Sequence, residues 1–442
     1  MADAALRLRN LVEQLLGVPL PVRIRAWDGS QAGPPGAPVL VVRNRRALRR
    51  LLFKPGELGL ARGWVAGDLD VDGDLYTTLD LLAGLIWERD DDARTLGQAL
   101  RDPEVRAAVR GLVRLGGPPL PPAPPPEEVR RRRGHLHTRR TDKRAISHHY
   151  DVGNDFYELV LGPSMVYSCA YWDAAPGSTP AEGVLAGGTL ETAQRDKLEL
   201  VCRKLGLAPG QRLLDVGCGW GSMAVHAARD HGVGVVGITL SQEQAAYARK
   251  RIADEGLTDR VEIRVQDYRD VTDGPYDAIS SIGMAEHVGA ERYLEYARDL
   301  YALLAPGGRL LNHQIARRPQ GDETTYSVDT FIDAYVFPDG ELAPLGTTVT
   351  QLERAGFEVR DVESIREHYA LTLRRWVAAL EAEWPRAVQL TSPGRARVWR
   401  LYMAASALAF EHNRIGVNQV LAVKTPETGR SGLPLRARTW NG

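Results

Sequence analysis

The sequence predicts a doubly wound α/β domain that is preceded by a smaller mixed α+β N-terminal domain. Its 442 residues are too many for one small core, which favours two domains. Strand and helix patterns alternate regularly from about residue 195 onward, as in a parallel sheet with helices on both faces. A proline-rich stretch at residues 116–126 separates this alternation from the N-terminal segment.

The N-terminal segment, residues 1–115, mixes helical and strand patterns. Helical apolar spacing covers residues 4–16, 46–53 and 75–87, and residues 22–27 and 39–44 favour strands on either side of a Gly/Pro-rich loop. No catalytic motif occurs in this segment. We therefore expect a domain that contacts lipid or a membrane, or that serves dimerisation.

Residues 116–144 are predicted to form a linker followed by a basic arm. Seven prolines fall in the nine positions 118–126, a composition typical of an extended, semi-rigid spacer. Arginine and lysine then dominate residues 130–144. This run either contacts the phosphates of an anionic membrane, at ~1 kcal/mol per basic residue, or is only a solvated arm. Nucleic acid is disfavoured because no stacking aromatic residues interleave the run.

Charge, hydropathy and cysteine content narrow the class of protein. The 56 basic and 56 acidic side chains cancel, so no global field attracts nucleic acid or membrane. No apolar run reaches the ~18 residues of a spanning helix, and no signal-peptide pattern opens the chain. Cys169, Cys202 and Cys218 lack metal-ligand spacing, and the last two are interpreted as packing. We expect a cytoplasmic protein without a metal site, associated peripherally with the inner face of the membrane.

The predicted elements of the α/β domain follow in a regular order. Strands are predicted at residues 211–217, 233–240, 261–268 and 276–283, a turn and strand at 306–315, and a returning strand at 412–423. Helices are predicted at residues 222–232, 241–256 and 291–304. Ser241, with Gln244 three residues later, is typical of a capping box at the start of the second of these helices.

The segment LLDVGCGWG, residues 213–221, indicates what this domain binds. Asp215 ends an apolar strand, and Gly217, Gly219 and Gly221 follow at alternate positions before a helix. Such glycines let the backbone bend and approach a ligand at the carboxyl end of the strand. The G-x-G-x-G spacing suits S-adenosylmethionine better than a dinucleotide, whose pyrophosphate needs a seat on the helix; a purely structural turn is the alternative. The pattern favours a Rossmann-like class I methyltransferase domain.

Seven stretches, in this order, resemble the cyclopropane-fatty-acid synthase family with its mycolic-acid and methyl-branched-lipid relatives. They are HHYDVGNDFYELVLGPSMVYSCAYW, LLDVGCGWGSMAVHAA, VVGITLSQEQ, QDYRDV, SSIGMAEHVG, YVFPDGELAP and REHYALTLRRW. The resemblance covers about residues 145–380, within a catalytic domain expected at 145–424. GLARGWVAGDLDVDGDL in the N-terminal segment is similar to the extra domain of the two-domain members that act on phospholipids. The polar tail, residues 425–442, is not part of the family pattern.

The resemblance implies S-adenosylmethionine as the cofactor. The residues implied to contact it are Tyr167, Ser168, Asp215, Gly217, Gly219, Gly221, Thr239, Leu240, Gln244, Tyr268 and Arg269. The acidic residue that usually binds the ribose at the end of the second strand is missing. Thr239 and Gln244 are the candidate polar groups in its place.

The resemblance also implies a reaction and a base. Bicarbonate is the implied general base, held by the Cys169 region, Glu286, His313, the backbone of Ile315 and Tyr369. The implied reaction adds one carbon to the cis double bond of an unsaturated acyl chain in a membrane phospholipid. It gives a cyclopropane or a methylene/methyl-branched chain through a carbocation, and the sequence leaves the choice open.

The expected partners follow from this substrate. They are membrane phospholipids, contacted through Arg130, Arg131, Arg132, Arg133, Arg139 and Arg140. We also expect a homo-oligomer and no nucleic-acid partner.

The residue types suit such chemistry on physical grounds. Attack of an alkene on a sulfonium methyl leaves a carbocation, and aromatic faces attract cations. The aromatic candidates are Tyr167, Tyr171, Trp172 and Tyr369. A small hydrogen-bonded anion is a safer base than a carboxylate or thiolate, which could add to the cation, so Glu286 and His313 would orient it.

Each candidate catalytic residue also has a structural interpretation. His313 could be a satisfied core histidine, and Tyr369 could be core or surface filler. Glu286 follows an apolar strand at the carboxyl edge of the sheet, where this fold places its chemistry, so function is favoured there. Cys169 could be a nucleophile, a metal ligand or packing. YSCAYW supplies aromatics rather than a cation or base, so Cys169 is predicted to shape the anion pocket.

Two other functions stay open on the sequence. One is methylation of a soluble small molecule, against which the N-terminal domain and the basic arm argue. The other is a catalytically silent lipid-binding protein, against which the intact GMAEHVG and YSCAYW segments argue.

Overall fold

Two units with separate sheets make up the described part of the chain. The computed structural model describes residues 3–87, 102–117, 120–129, 152–173, 188–323, 330–338 and 340–435. The first unit falls within Met1–Arg131, Asp329–Val336 and Ser392–Leu408, and the second within Arg132–Val328, Phe337–Thr391 and Ala409–Gly442. The sequence patterns did not indicate that the first unit takes in two later segments. The predicted basic arm, from residue 130 to 144, lies outside the described residues.

The N-terminal part of the first unit mixes helices with a small sheet. Its elements are α1 (Ala4–Leu16), β1 (Arg23–Arg25), β2 (Gln31–Ala32), β3 (Val39–Val42), α2 (Arg46–Phe53), α3 (Glu57–Val65), β4 (Leu69–Asp72), α4 (Leu75–Trp87) and α5 (Pro103–Gly116). The sheet order is β2–β1–β3–β4. The three predicted helices and the two predicted strands are confirmed. Ala5, Leu8, Ile24 and Leu48 are central to the core between α1, α2 and the sheet.

The rest of the chain supplies the larger sheet and the helices around it. Its elements are α6 (Asn154–Leu161), α7 (Leu190–Leu205), β5 (Arg212–Val216), α8 (Ser222–His231), β6 (Gly234–Thr239), α9 (Gln242–Asp254), β7 (Val261–Val265), β8 (Tyr276–Ile282), α10 (Tyr293–Leu303), β9 (Leu304–Arg317), α11 (Thr330–Tyr335), α12 (Leu345–Arg354), β10 (Glu358–Ser364), α13 (Arg366–Ala382), α14 (Trp384–Leu390), α15 (Pro393–Glu411) and β11 (Ile415–Val423). The helix α11 and most of α15 belong to the first unit.

The large sheet has seven strands in the order β10–β11–β9–β8–β5–β6–β7. The five strands from β9 to β7 pair in parallel, whereas β11 runs antiparallel to both β9 and β10. Side chains alternate between the two faces: Leu213 packs with α7, α8 and α9, and Leu214 with α10 and α12. The predicted doubly wound fold is therefore confirmed, with β11 as its one reversed strand.

The strand order locates the site. From β5 the chain first builds the sheet outward through β6 and β7, and then returns to place β8 on the other side of β5. The connections that leave β5 and β8 therefore diverge and open a crevice at the carboxyl ends of these strands. Among the described helices, none combines the length and apolarity that crossing a membrane requires.

Candidate functional site

The turn after β5 is shaped by glycine. Gly217 and Gly219 have φ angles of 77° and 53°, in a region that side-chain-bearing residues avoid. The N–H groups of Gly217 and Cys218 both donate to the carbonyl of Ile238, at 3.0 and 2.9 Å, which ties the turn to the end of β6. A Cβ added at Gly219 would meet no protein atom within 4 Å. The backbone is therefore open to a ligand at that point.

A cavity lies beside this turn at the carboxyl edge of the sheet. Its walls include ten of the residues predicted to contact the cofactor, namely Tyr167, Ser168, Asp215, Gly217, Gly219, Thr239, Leu240, Gln244, Tyr268 and Arg269. Gly221 is the exception and faces α9 instead. A Cβ at Gly221 would lie 3.0 Å from the Cβ of Ala248 on that helix. We interpret Gly221 as the residue that lets α8 and α9 pack closely.

Thr239 holds the end of β6 to the start of α9. Its hydroxyl donates to Oε1 of Gln244 at 2.8 Å and accepts from the N–H of Ser241 at 3.1 Å. Oγ of Ser241 in turn accepts from the N–H of Gln244 at 3.3 Å. The predicted capping box is thus correct in its first half only. The Gln244 side chain bonds to Thr239 instead of the Ser241 N–H, which fixes both candidate ribose-binding groups on the cavity wall.

A buried lysine that the sequence reasoning missed lines the same cavity. Lys197 on α7 is only 1% exposed, and its Nζ donates to Oγ of Ser168 at 3.0 Å. Burial lowers the pKa of Lys197 to about 8, so the ammonium form still predominates at neutral pH. The signal for it was present in the helix pattern, because Lys197 falls on the same face as Ala193 and Val201.

Asp215 brings a carboxylate to the cavity wall. Its Oδ1 accepts from the hydroxyl of Ser280 at 2.7 Å, and Oδ2 is buried with no partner among the described residues. Burial raises the pKa of Asp215 to about 6, against the hydrogen bond from Ser280 and the charge of Lys197. The cavity wall therefore offers the Lys197 ammonium group with the Ser168 hydroxyl at one place. At another place it offers Oδ2 of Asp215, which can accept a hydrogen bond from a ligand.

Tyr268 and Arg269 follow β7 in a short 3-10 turn. Arg269 is paired with Asp267, with Nη2 2.6 Å from Oδ2, and its guanidinium lies 5.3 Å from the centre of the Tyr268 ring. Burial raises the pKa of Tyr268 to about 12, so its hydroxyl stays neutral. Asp267 also lines the cavity, although the sequence reasoning did not select it.

Glu286 lies in the 3-10 turn directly after β8. The paired part of β8 ends with Ile282 opposite His313, whereas β9 continues further, so the N–H of Ile315 has no β8 partner. Oε1 of Glu286 accepts from this N–H at 2.8 Å, and Oε2 is buried with no partner among the described residues. Burial raises the pKa of Glu286 to about 7. Glu286 and the backbone of Ile315, each of which the resemblance implies as a holder of bicarbonate, are thus bonded directly to each other.

A chain of hydrogen bonds sets the protonation of His313. Nζ of Lys204 donates to Oε2 of Glu363 at 2.5 Å and to Oε1 of Gln419 at 2.8 Å. Because Lys204 can only donate, the amide nitrogen of Gln419 faces Nδ1 of His313 at 3.3 Å. Burial and the cations Lys197 and Lys204 hold the pKa of His313 well below its ordinary value. The neutral ring carries its proton on Nε2, a buried atom without a partner among the described residues.

Cys169 is fully buried beside the carbonyls of Ala170 and Ile365, with its sulfur 3.2 and 3.6 Å from their oxygens. Burial raises the pKa of the thiol well above its ordinary value, and the nearby charge of Lys197 lowers it by less. A thiolate is therefore disfavoured. A nucleophilic cysteine needs surroundings that lower the pKa of its thiol, whereas Cys169 faces backbone carbonyls. These surroundings agree with a Cys169 that shapes the pocket.

The aromatic residues form a cluster that differs from the expected one. Tyr369 is buried, edge-on to Trp376 at 6.0 Å and tilted against Phe410 at 4.7 Å. Tyr167 reaches the same Trp376 at 5.3 Å. Tyr171 instead stacks on the ring of a histidine, His368. Trp376, which the sequence reasoning did not select, is thus the residue that joins the two candidate tyrosines.

The five predicted catalytic residues lie next to the cavity rather than on its wall. None of them occurs among the described residues that line it, but Ser168 precedes Cys169, and Met284 and His287 flank Glu286 in the lining. Glu286 is joined to the backbone of Ile315, two positions along β9 from His313. The structure therefore brings buried polar atoms next to residues of the cavity wall, and we call the cavity the methyl-donor cavity after its predicted ligand.

Comparisons with known proteins agree with this geometry. A family model described as mycolic acid cyclopropane synthetase matches residues 137–420. The chain is 44% identical over 424 residues to the probable fatty acid methyltransferase Rv3720 of Mycobacterium tuberculosis, covering 94% of each protein. It is 38% identical over 281 residues to the cyclopropane-fatty-acyl-phospholipid synthase of Escherichia coli K12, covering 64% of this chain and 68% of that one.

A solved structure extends the likeness to the fold. The mycolic acid cyclopropane synthase CmaA1, complexed with SAH and CTAB, superposes with a TM-score of 0.58 and 33% identity. The match covers 64% of this chain and 98% of that chain. SAH is the demethylated form of S-adenosylmethionine, which agrees with the ligand predicted from the glycine turn.

Proposed function

The chain belongs to the mycolic acid cyclopropane synthetase family and is an S-adenosylmethionine-dependent methyltransferase that modifies lipids, and on that premise we propose its substrate and product. It adds one carbon to the cis double bond of an unsaturated acyl chain in a membrane phospholipid. The product is a cyclopropane or a methylene/methyl-branched chain of the 10-methylene-stearate type. One observation carries this proposal: Glu286 and His313, which adjoin the cavity-lining Met284 and Gly283, each have a buried polar atom without a partner among the described residues.

The cavity wall matches the charges of the cofactor. S-adenosylmethionine, when bound, supplies an electrophilic methyl group on a sulfonium centre. Lys197 and the Ser168 hydroxyl suit its carboxylate, and Oδ2 of Asp215 suits its ammonium group. Thr239 and Gln244 would bond its ribose, and the open backbone at Gly219 would lie against it. These residues bind and orient the methyl donor.

The aromatic cluster would receive the alkene and the positive charge that forms on it. Tyr167 lines the cavity, and Trp376 and Tyr369 pack behind it; aromatic faces of this kind attract a cation without adding to it. The buried thiol of Cys169 stays protonated, so it is a weaker nucleophile toward a carbocation than a thiolate would be. The pocket can therefore stabilise a transient positive charge and still release it.

We propose that a small anion binds to the two buried polar atoms. Bicarbonate, when bound, supplies a base that accepts the proton lost by the substrate. The Nε2–H of His313 can donate to it, and Glu286, whose pKa is about 7, can donate from Oε2 when protonated. The N–H of Ile315 is already held by Glu286, so a direct bond from Ile315 would require Glu286 to release it.

A phospholipid substrate implies contact with a membrane. We propose peripheral association with the cytoplasmic face through the run that contains Arg130–Arg133, Arg139 and Arg140, and a homo-oligomer stays a prediction. Exposed charges are screened over ~8–10 Å at physiological salt. Co-sedimentation with anionic vesicles is therefore expected to fall as salt rises, and salt-independent binding would contradict this role of the arm.

The decisive experiment expresses the full chain in a host whose phospholipids contain only cis-monounsaturated acyl chains. We expect lipid mass spectrometry to find acyl chains that carry one added carbon. Fragmentation of these chains would distinguish a ring from a branch. Glu286→Gln is expected to lose most turnover while binding S-adenosylmethionine normally. Glu291→Gln, an exposed change five residues along, is the control and keeps full activity. Unmodified phospholipid together with methylation of a soluble acceptor would contradict the proposal.

A further inference from the structure

A second cluster of reactive side chains lies between α7 and α8. Sγ of Cys202 and ring nitrogens of His226 and His231 lie within 4.8 Å of one another. Cys202 and His226 are buried, and the His231 side chain is only 18% exposed. None of the three occurs among the described residues that line the methyl-donor cavity. The cluster is therefore separate from the site described above.

Two carboxylates complete this cluster. Oε2 of Glu199 lies 3.2 Å from Nε2 of His226 and 2.9 Å from Nε2 of His231. Oδ2 of Asp230 lies 3.0 Å from Nδ1 of His226. His226 thus has a carboxylate oxygen next to each of its two ring nitrogens.

The two carboxylate oxygens do not match the single donor of a neutral imidazole. Such a ring has one N–H, so its other nitrogen presents a lone pair to a carboxylate oxygen. A cation bound to Nε2 of His226 would resolve the conflict, because Nδ1–H could then donate to Asp230 while Nε2 and Glu199 both face the cation.

We propose that Cys202, His226, His231 and Glu199 bind a divalent transition metal, for which Zn²⁺ is the best match. One thiolate, two imidazoles and one carboxylate are the ligand types of tetrahedral zinc sites. The thiolate and imidazoles disfavour Mg²⁺ and Ca²⁺, which prefer oxygen ligands. Asp230 would then orient His226 from behind, as carboxylates do for metal-bound histidines. Binding would release the Cys202 proton, whose loss burial otherwise disfavours.

The proposed metal would be structural. It would join α7, which carries Lys197, to α8, which follows the glycine turn. All four ligands come from the protein, so no open coordination position is left for a substrate. The inference also reverses the expectation of no metal site, since the fold brings Cys202 to two histidines that lie 24 and 29 positions further along the chain.

The test is metal binding by the full-length protein, independent of methyl transfer. The purified chain is stripped with a chelator and titrated with Co²⁺ as a spectroscopic substitute for Zn²⁺. We expect one Co²⁺ per chain, with a thiolate-to-metal charge-transfer band and the visible bands of tetrahedral cobalt, both displaced by Zn²⁺. Cys202→Ser should remove the charge-transfer band. His231→Gln, at the partly exposed ligand, should abolish tight binding in a chain that still folds.

A variant of Asp230, which contacts the ligand His226, and a control variant sharpen the result. Asp230→Asn should weaken metal affinity by about 10–100-fold. His412→Gln removes an exposed imidazole elsewhere and should change nothing. Absence of stoichiometric binding, or Co²⁺ binding that persists unchanged in Cys202→Ser and His231→Gln, would overturn the proposal.

Discussion

The side-chain amide of Gln419 donates to Nδ1 of His313 at 3.3 Å, and Lys204 sets the direction of that bond. Gln419→Met keeps the volume but removes the donor. The His313 proton would then no longer be confined to Nε2, where an anion needs it. We expect turnover to fall about 10–100-fold with little change in cofactor affinity. Nitrogen-15 NMR of the imidazole would show the mixed tautomer, and unchanged turnover would contradict this role.

Gly219 has positive φ and open space where a Cβ would stand. Asn tolerates this backbone conformation, so Gly219→Asn should fold but place a side chain in the cavity. We expect calorimetry to show S-adenosylmethionine binding at least ~10-fold weaker, or ~1.4 kcal/mol. Gly36→Asn is the matched control, since Gly36 also has positive φ and an open surrounding. Equal cofactor affinity in the two variants would argue against the assigned cavity.

Lys197 is buried beside Ser168 on the cavity wall. If it bonds the carboxylate of the cofactor, Lys197→Met removes a charge-assisted hydrogen bond worth about 1.5–3 kcal/mol. We expect the Kd for S-adenosylmethionine to rise about 10–100-fold, with a smaller effect on an analogue that lacks the carboxylate. Lys250→Met, at an exposed position, serves as the control. An equal loss for both ligands would indicate a purely structural lysine.

The pKa of Glu286, about 7 in the folded chain, lies above its ordinary value of 4.5. The folded state therefore holds this proton more tightly than the unfolded state. The resulting stability is fully present below about pH 4.5 and is lost as the pH rises through 7. Relative to the native chain, Glu286→Gln should gain stability between pH 5 and pH 8, by up to ~3 kcal/mol. The free energy of unfolding of both chains would be measured by denaturant unfolding. A difference between them that is the same at every pH in this range would contradict the buried, protonated carboxyl.

Cys169 packs against backbone carbonyls in a fully buried position. Serine keeps the size and the donor, so Cys169→Ser should retain a substantial fraction of turnover. Cys169→Trp should lose it, because the added ring needs space that the fully buried position lacks. Turnover and peptide mass spectrometry would check this prediction. A dead Cys169→Ser, or a methylated Cys169 peptide, would reinstate the nucleophile.

The strands and helices were predictable where one period dominated the pattern. Residues 4–16 and the turn at Gly217 and Gly219 illustrate this, because helical spacing and positive φ are local demands on sequence. The reversal of β11 was not predictable, since a strand pattern carries no direction. The second half of the capping box was mispredicted, because the competition between Ser241 and Thr239 for the Gln244 side chain is settled only in three dimensions.

Individual residues of the candidate site were predictable from the sequence. The hydrogen bonds that join them were not. Glu286 stood out because it follows an apolar strand, whereas the Lys204–Gln419–His313 chain joins residues more than 100 positions apart. Cys202 was interpreted as packing for the same reason, since His226 and His231 lie on another helix. Contacts between elements depend on how the elements pack, and no short spacing in the chain records them.

The reversed strand β11 bears on how the enzyme matures during synthesis. The described residues that line the methyl-donor cavity all fall within 165–292, so they are synthesised before β9, β10 and β11. Gln419, which orients His313, is added later and enters between two strands already made. The walls of the cavity and the orientation of His313 therefore depend on segments of the chain that are made at different times. Addition of β11 is the step that brings the Gln419 amide to His313.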